Sequence, residues 1–189
     1  MKKLDKSIVI SGMPAVGKTT LANKLASKYD LKHIGGGDIL KQLADEKGFS
    51  MKELDWWDKN EAKKFIELRN NDSSLDKLVD EKLVNILSNE IVVITSYTIP
   101  WLYNDCISIY LSGSSINRAK RLAERDNIIL EEALKIVERR DLDNQSLYKK
   151  IYNFDFVNDL TVFDFIFNTD KISKLDLHNI IFNIIDSTR

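Results

Sequence analysis

Residues 12–19 read Gly-Met-Pro-Ala-Val-Gly-Lys-Thr, a G-x-x-x-x-G-K-[ST] pattern between a short apolar run at 7–11 and a long periodic stretch at 18–29. No other feature constrains the chain so tightly. A glycine turn of this kind holds phosphate where a strand delivers it and a helix N-terminus closes it, because backbone N–H groups and the helix dipole must point at one anion. Both flanks are in place. Gly12, Ala15, Val16, Gly17, Lys18, Thr19 and Thr20 are therefore the expected contacts of Mg·ATP. Lys18 would reach the β- and γ-phosphates, and the Thr19 hydroxyl is the candidate Mg2+ ligand. The bland alternative, a glycine turn beside a lysine, accounts for neither flank.

The rest of the chain suits a sheet that carries such a loop. Short apolar runs at 7–11, 32–34, 91–95, 107–111 and 165–168 alternate with helical stretches at 18–29, 39–47, 115–126 and 174–185. Strands without polar alternation are buried on both faces, which points to an α/β, doubly wound parallel sheet of five strands. Two stretches break the alternation. Residues 51–88 read as two or three successive helices and 130–152 as another. They are the expected acceptor-binding insert and lid of a single domain spanning 1–189. The chain holds 7 glycines, and Gly12, Gly17, Gly35, Gly36 and Gly37 fall in the loops after the first two strands. There the backbone is expected to approach a ligand or to take positive φ.

Asp38 follows the second loop as the expected N-cap of the next helix, at the carboxyl end of a strand near the phosphate loop. Capping is one role for it; contact with metal or acceptor, or general base toward an acceptor hydroxyl, is the other. Lys41, one turn further on, is a candidate for an acceptor phosphate or carboxylate, against the commoner exposed helix lysine. Arg118, Arg121 and Arg125 share one helix face at i, i+3 and i+7, and Arg139 and Arg140 follow in the next helical stretch. Arginines on a closing lid would stabilise the charge that spreads over a transferring phosphoryl group. Ion pairing with Glu124, Asp126, Glu138 and Asp141 is the alternative for one or two of them. Their concentration favours the lid, since Arg69 and Arg189 are the other arginines in the chain. Trp56, Trp57 and Trp101 are expected in the core or on the wall of an acceptor pocket, and His33 and His178 in structural roles.

A net charge of −1 gives no pull toward nucleic acid or a membrane surface, and no apolar stretch approaches the length of a membrane span. The one cysteine, Cys106, permits no internal disulfide and reads as a small buried hydrophobe. The expectation is a cytoplasmic protein acting on a small phosphorylated molecule, as a monomer or homodimer, without nucleic-acid or membrane partners.

With these motifs placed, nearly the whole chain resembles the archaeal-type cytidylate kinase group of the nucleoside-monophosphate-kinase-like P-loop kinases. The resemblance rests on 12–20, Gly37-Asp38-Ile39, Arg118-Ala119-Lys120-Arg121, Arg125-Asp126, Arg140-Asp141, Tyr148 and Phe167-Asn168-Thr169. It implies ATP-dependent phosphoryl transfer, with Arg125 and Arg140 gripping phosphates from the lid beside Lys18 and Thr19. Arg121, Asn168 and Thr169 would lie on the nucleotide side, the last two near the adenine. The departures fall on the acceptor side. Where the family carries Glu-Gly-Arg after the third strand, Thr95-Ser96-Tyr97 stands here; where it has an arginine and a base-reading glutamine, Lys82 and Leu83 stand. Lys41 and Leu147 replace two further arginines. A leucine cannot read a pyrimidine edge, and a lost polar contact weighs heavily in discrimination. The expected acceptor is therefore a small phosphorylated alcohol such as mevalonate 3-phosphate, as in the mevalonate-3-phosphate 5-kinase branch. Lys41, Lys82, Tyr97 and Trp101 would meet it, with Arg69 a further candidate and Asp38 the base. CMP is the alternative acceptor. A nucleotide-binding module without catalysis is a third reading, supported by Thr95 at a position where an acid often orders a magnesium-bound water, and opposed by the clustered arginines.

Overall fold

Five strands, β1 (Ser7–Gly12), β2 (His33–Gly35), β3 (Val93–Thr95), β4 (Cys106–Ser112) and β5 (Phe165–Asn168), form one sheet in the order β2-β3-β1-β4-β5. Every pairing is parallel: Ile8 stands opposite Val93 on one side and Ile107 on the other. This is a computed structural model, and it describes residues 4–49, 69, 73–155 and 157–188. The helices are α1 (Lys18–Tyr29), α2 (Gly36–Glu46), α3 (Ser74–Leu87), α4 (Ile99–Leu102), α5 (Ser115–Asp126), α6 (Leu130–Tyr152) and α7 (Lys174–Ser187).

The central strands β1, β3 and β4 are mostly apolar because both faces of the sheet are covered there, while Ile166 on the edge strand β5 is exposed. Ile8, Ile10, Val93, Ile107, Ile109 and Leu111 pack under α1 and α7. Val9, Val92 and Ile94 face the other way, against α2 and α3. Successive residues of a strand point to opposite faces, so one apolar run feeds two cores. The chain reverses its direction of winding at β1, between β3 and β4, and the crevice at the carboxyl end of β1 is where such sheets bind ligands.

Three details differ from the sequence reading. Helix α2 begins at Gly36, with the extended Gly35 as its cap, so Asp38 lies within the first turn and is not the N-cap. Gly36 and Gly37 are therefore helical, and positive φ is confined to Gly12, Gly17 and Gly48 among the glycines. The short helix α4, with Pro100 in its first turn, was not foreseen. Of the 51–88 stretch, α3 and Arg69 are described; Trp56 and Trp57 lie outside the described residues. The 130–152 stretch is one helix of 23 residues, about 34 Å long at 1.5 Å per residue. Among the described residues no helix is long and apolar enough to cross a membrane.

Candidate active site

The phosphate loop leaves β1 through Gly12, whose φ of 138° and contact with Leu111 exclude any side chain: a Cβ there would sit 2.2 Å from the Leu111 carbonyl oxygen. Ala15 also has positive φ, at 60°. Gly17, at φ 106°, caps α1 without a side-chain bond, so the first-turn N–H groups of α1 are not capped from that position. Lys18 folds back along the loop, donating to the Gly12 carbonyl at 2.7 Å and the Met13 carbonyl at 3.0 Å. Its Nζ rests 4.8 Å from the centre of the Tyr97 ring. Burial, with the charges of Arg118 and Arg140, brings the Lys18 ammonium down to about 7. An anionic phosphate would restore the charge of such an amine. Thr19 is exposed in the first turn of α1, where its hydroxyl suits the Mg2+ that would neutralise the phosphate oxygens. Val16 packs in the core beneath the loop and Thr20 is half-buried.

The arginines divide by what they touch. Arg118 is buried: Nε donates to the Gly113 carbonyl at 3.0 Å, Nη1 to the Pro14 carbonyl at 3.2 Å, and both Nη atoms to the Asp141 carboxylate. It ties the apex of the phosphate loop to α6. Arg121 donates to the Thr169 hydroxyl at 2.9 Å and carbonyl at 2.8 Å, which fixes the segment after β5 against α5. Thr169 in turn donates to the Ser112 carbonyl, while Asn168 ends β5 in an exposed position. Arg125 pairs with Asp126 on the more exposed flank of α5. Arg140, half-buried on α6, acts electrostatically on both Lys18 and Tyr97. The structure thus gathers Lys18, Tyr97, Arg118, Arg140 and Asp141 at the loop.

On the side that the sequence reading assigns to the acceptor, Asp38, Thr95 and Gly35 meet. A Cβ on Gly35 would lie 2.6 Å from Asp38 Oδ2 and 3.3 Å from Thr95 Oγ1, so the glycine makes room for the carboxylate. His33 Nε2 lies 3.2 Å from Thr95 Oγ1 and its Nδ1 lies 2.7 Å from Asn23 Oδ1, a structural setting for the imidazole as expected. His178 is buried on α7 near Phe182. Lys41 on α2 and Lys82 on α3 are half-buried. Leu83 is fully buried in the core between these helices. Tyr97 lies 5.7 Å from Tyr148, and Trp101 stacks on Phe154 at 4.9 Å, in one aromatic cluster with Met13 and Leu147. Cys106 is buried and unbridged, and burial pushes its thiol up to about 12.

The carboxylates of α3 carry the least foreseen feature. Arg69 makes a two-pronged bond to Asp76, and Asp80 accepts from Thr98 Oγ1 and Tyr152 Oη, each at 2.6 Å. Burial raises Asp80 to about 6, opposed by those two hydroxyls and aided by the Asp76 charge. The i, i+4 spacing of Asp76 with Asp80 and of Tyr148 with Tyr152 is visible in the sequence. It was the available signal.

Comparison with known proteins places this geometry. The profile of the cytidylate kinase-like family matches residues 7–171. A cytidylate kinase from Pyrococcus horikoshii is 33% identical over 167 residues, covering 88% of this chain and 81% of that protein. One from Sulfurisphaera tokodaii is 35% identical over 162 residues, covering 84% and 83%. Among solved structures, shikimate kinase from Acinetobacter baumannii in complex with shikimate aligns with a TM-score of 0.57 at 18% identity, covering 96% of this chain and 93% of its own. That likeness is one of fold.

Proposed function

The chain belongs to the cytidylate kinase-like family, and we propose that this kinase transfers the γ-phosphoryl group of Mg·ATP to a small phosphorylated alcohol, with mevalonate 3-phosphate as the candidate. The nucleotide side supports transfer through Lys18 in the phosphate loop, with Arg140 beside it and Thr19 for Mg2+. Arg125, in the last turn of α5, would join them where α5 leads into the lid helix α6. The observation that carries the acceptor reading is Leu83. It is wholly enclosed between α2 and α3, where it presents no hydrogen-bonding group to a base. Tyr97 adds to it, with its ring against Lys18 just after β3, where the family resemblance implies a phosphate-binding arginine.

An alcohol differs from a nucleotide phosphate in needing deprotonation. As the acceptor oxygen bonds to the γ-phosphorus, the bond to the β-phosphate oxygen breaks, ADP departs, and the hydroxyl proton passes to a base. Asp38 suits that role, set beside Gly35 and Thr95 at the carboxyl ends of β2 and β3. Lys41 and Lys82 would hold the acceptor's existing phosphate, and Trp101 would close the wall. Arg69, a further candidate in the sequence, is committed to Asp76. A second reading, CMP as acceptor, is favoured by relatives named cytidylate kinase at 33–35% identity. Incubation with Mg·ATP and a panel of phosphorylated alcohols and nucleoside monophosphates, following ADP release, separates the two. Turnover confined to the nucleotides would reject the alcohol reading.

A further inference from the structure

Two aspartates one turn apart on α3 meet two tyrosines one turn apart on α6. Tyr152 Oη donates to Asp80 Oδ2 at 2.6 Å, and Tyr148 Oη donates to Asp76 Oδ1 at 3.4 Å. Equal spacing on the two helices lets both pairs form in a single register. Arg69 closes the first pair, with Nη2 at 2.7 Å from Asp76 Oδ1 and 3.3 Å from the Tyr148 oxygen. Thr98 closes the second at 2.6 Å, and its own N–H donates to Ser96 Oγ at 3.1 Å. Arg69, Asp76, Asp80, Thr98 and Tyr148 are all less than 8% exposed.

Apolar side chains would hold two helices together without the desolvation that these groups incur. A satisfied polar cluster does something else: it admits one relative placement of the helices and penalises others, because any slip leaves buried groups unpaired. The placement matters because α6 is bonded elsewhere too. Asp141 lies seven residues before Tyr148, about 10 Å along the helix, and is held by Arg118, which also grips the Pro14 carbonyl of the phosphate loop. Arg140 is its neighbour. Helix α3 in turn packs against α2, which carries Asp38 and Lys41.

We propose that the Tyr148–Asp76 and Tyr152–Asp80 pairs are positioning contacts that make α3 and α6 move as one body, coupling nucleotide binding at the phosphate loop to the acceptor side. Binding at either side then sets the other, since coupling between sites is reciprocal. The inference rests on the kinase reading and not on the identity of the acceptor.

The test is hydrogen exchange on the full chain with and without Mg2+ and the non-hydrolysable analogue AMP-PNP, read together with thermal unfolding. In the wild type the analogue should slow exchange about tenfold in α3 as well as in the phosphate loop and α1, within the usual range of coupling between sites. In the Tyr148→Phe/Tyr152→Phe double variant the slowing should persist in the loop and α1 and disappear from α3. Absence of slowing in wild-type α3 would overturn the proposal. So would slowing that survives in the double variant, even with a lowered unfolding temperature, because the pairs would then be structural only. Should the double variant fail to fold, Tyr152→Phe alone should lose part of the α3 response, and a response equal to wild type would overturn the proposal. No step requires an acceptor, so a panel in which none is phosphorylated bears on the acceptor reading alone.

Discussion

Buried Arg118 and half-buried Asp141 form a two-pronged ion pair, and the same guanidinium donates to the Pro14 carbonyl at the apex of the phosphate loop. One side chain therefore sets both the loop and the helix that carries Arg140. Removing one partner of a fully buried pair costs about 3–5 kcal/mol, and the partial exposure of Asp141 places this pair at or below the lower end of that range. Arg118→Ala should lose stability on that scale in urea unfolding. Arg118→Lys should recover little of it, since an ammonium lacks the planar fork that meets Asp141, Gly113 and Pro14 together. Unfolding midpoints equal to wild type would show the pair to be dispensable.

Lys18→Met should leave the far-ultraviolet circular dichroism unchanged while lowering turnover by about 10²–10³-fold or more, the scale set by removing a charge-stabilising donor from a transition state. Near-normal phosphotransfer would take Lys18 out of the mechanism.

Arg140→Ala should lower kcat more than it weakens binding of Mg·ATP, because an arginine acting on the charge of the transferring group stabilises the transition state above the ground state. Steady-state kinetics beside a direct nucleotide titration separates the two effects. A change confined to nucleotide affinity would make Arg140 a binding group.

Asp80 gives the stability a pH dependence of definite sign. Its carboxyl moves from 3.8 in the unfolded chain to about 6 in the fold, so between those values the folded state binds more protons than the unfolded one. Its contribution to stability therefore grows as pH falls through about 6 and is lost as pH rises above it. Compared with Asp80→Asn, which does not titrate, the wild type should gain relative stability as pH is lowered from about 8 to about 5. Parallel unfolding profiles for the two proteins would contradict the shift.

The fold was legible because its signals are local. Short apolar runs between periodic stretches, and one glycine-rich turn with strand and helix in place, fix the sheet and the position of the phosphate loop without long-range information. What escaped depends on contacts across the chain. Asp38 reads as an N-cap because Asp commonly caps helices, yet Gly35 accepts that position and lets the carboxylate fold back over it. Ion pairing with Asp141 is the alternative that the sequence offers for an arginine of this face, and Arg118 takes it; the burial of Arg118 and its hold on Pro14 follow from how α5 and α6 pack. Asp80 and Tyr152 are 72 residues apart, and nothing in either segment alone announces the bond.

Asp38→Asn should abolish transfer to an alcohol while leaving Mg·ATP affinity nearly unchanged, because the variant keeps the size of the side chain and loses its basicity. Nucleotide affinity lost in step with turnover would instead assign Asp38 to the binding of Mg·ATP.

The acceptor decides the account as a whole, and kcat/KM measured side by side for mevalonate 3-phosphate and CMP decides the acceptor. A site with Leu83 sealed in the core and Tyr97 lying against Lys18 should turn over the phosphorylated alcohol with a specificity constant in the common range of about 10⁴–10⁸ M⁻¹s⁻¹, and CMP far below it. Rapid phosphorylation of CMP within that range, with little or none of the alcohol, would contradict the account and give this chain the activity its relatives are named for.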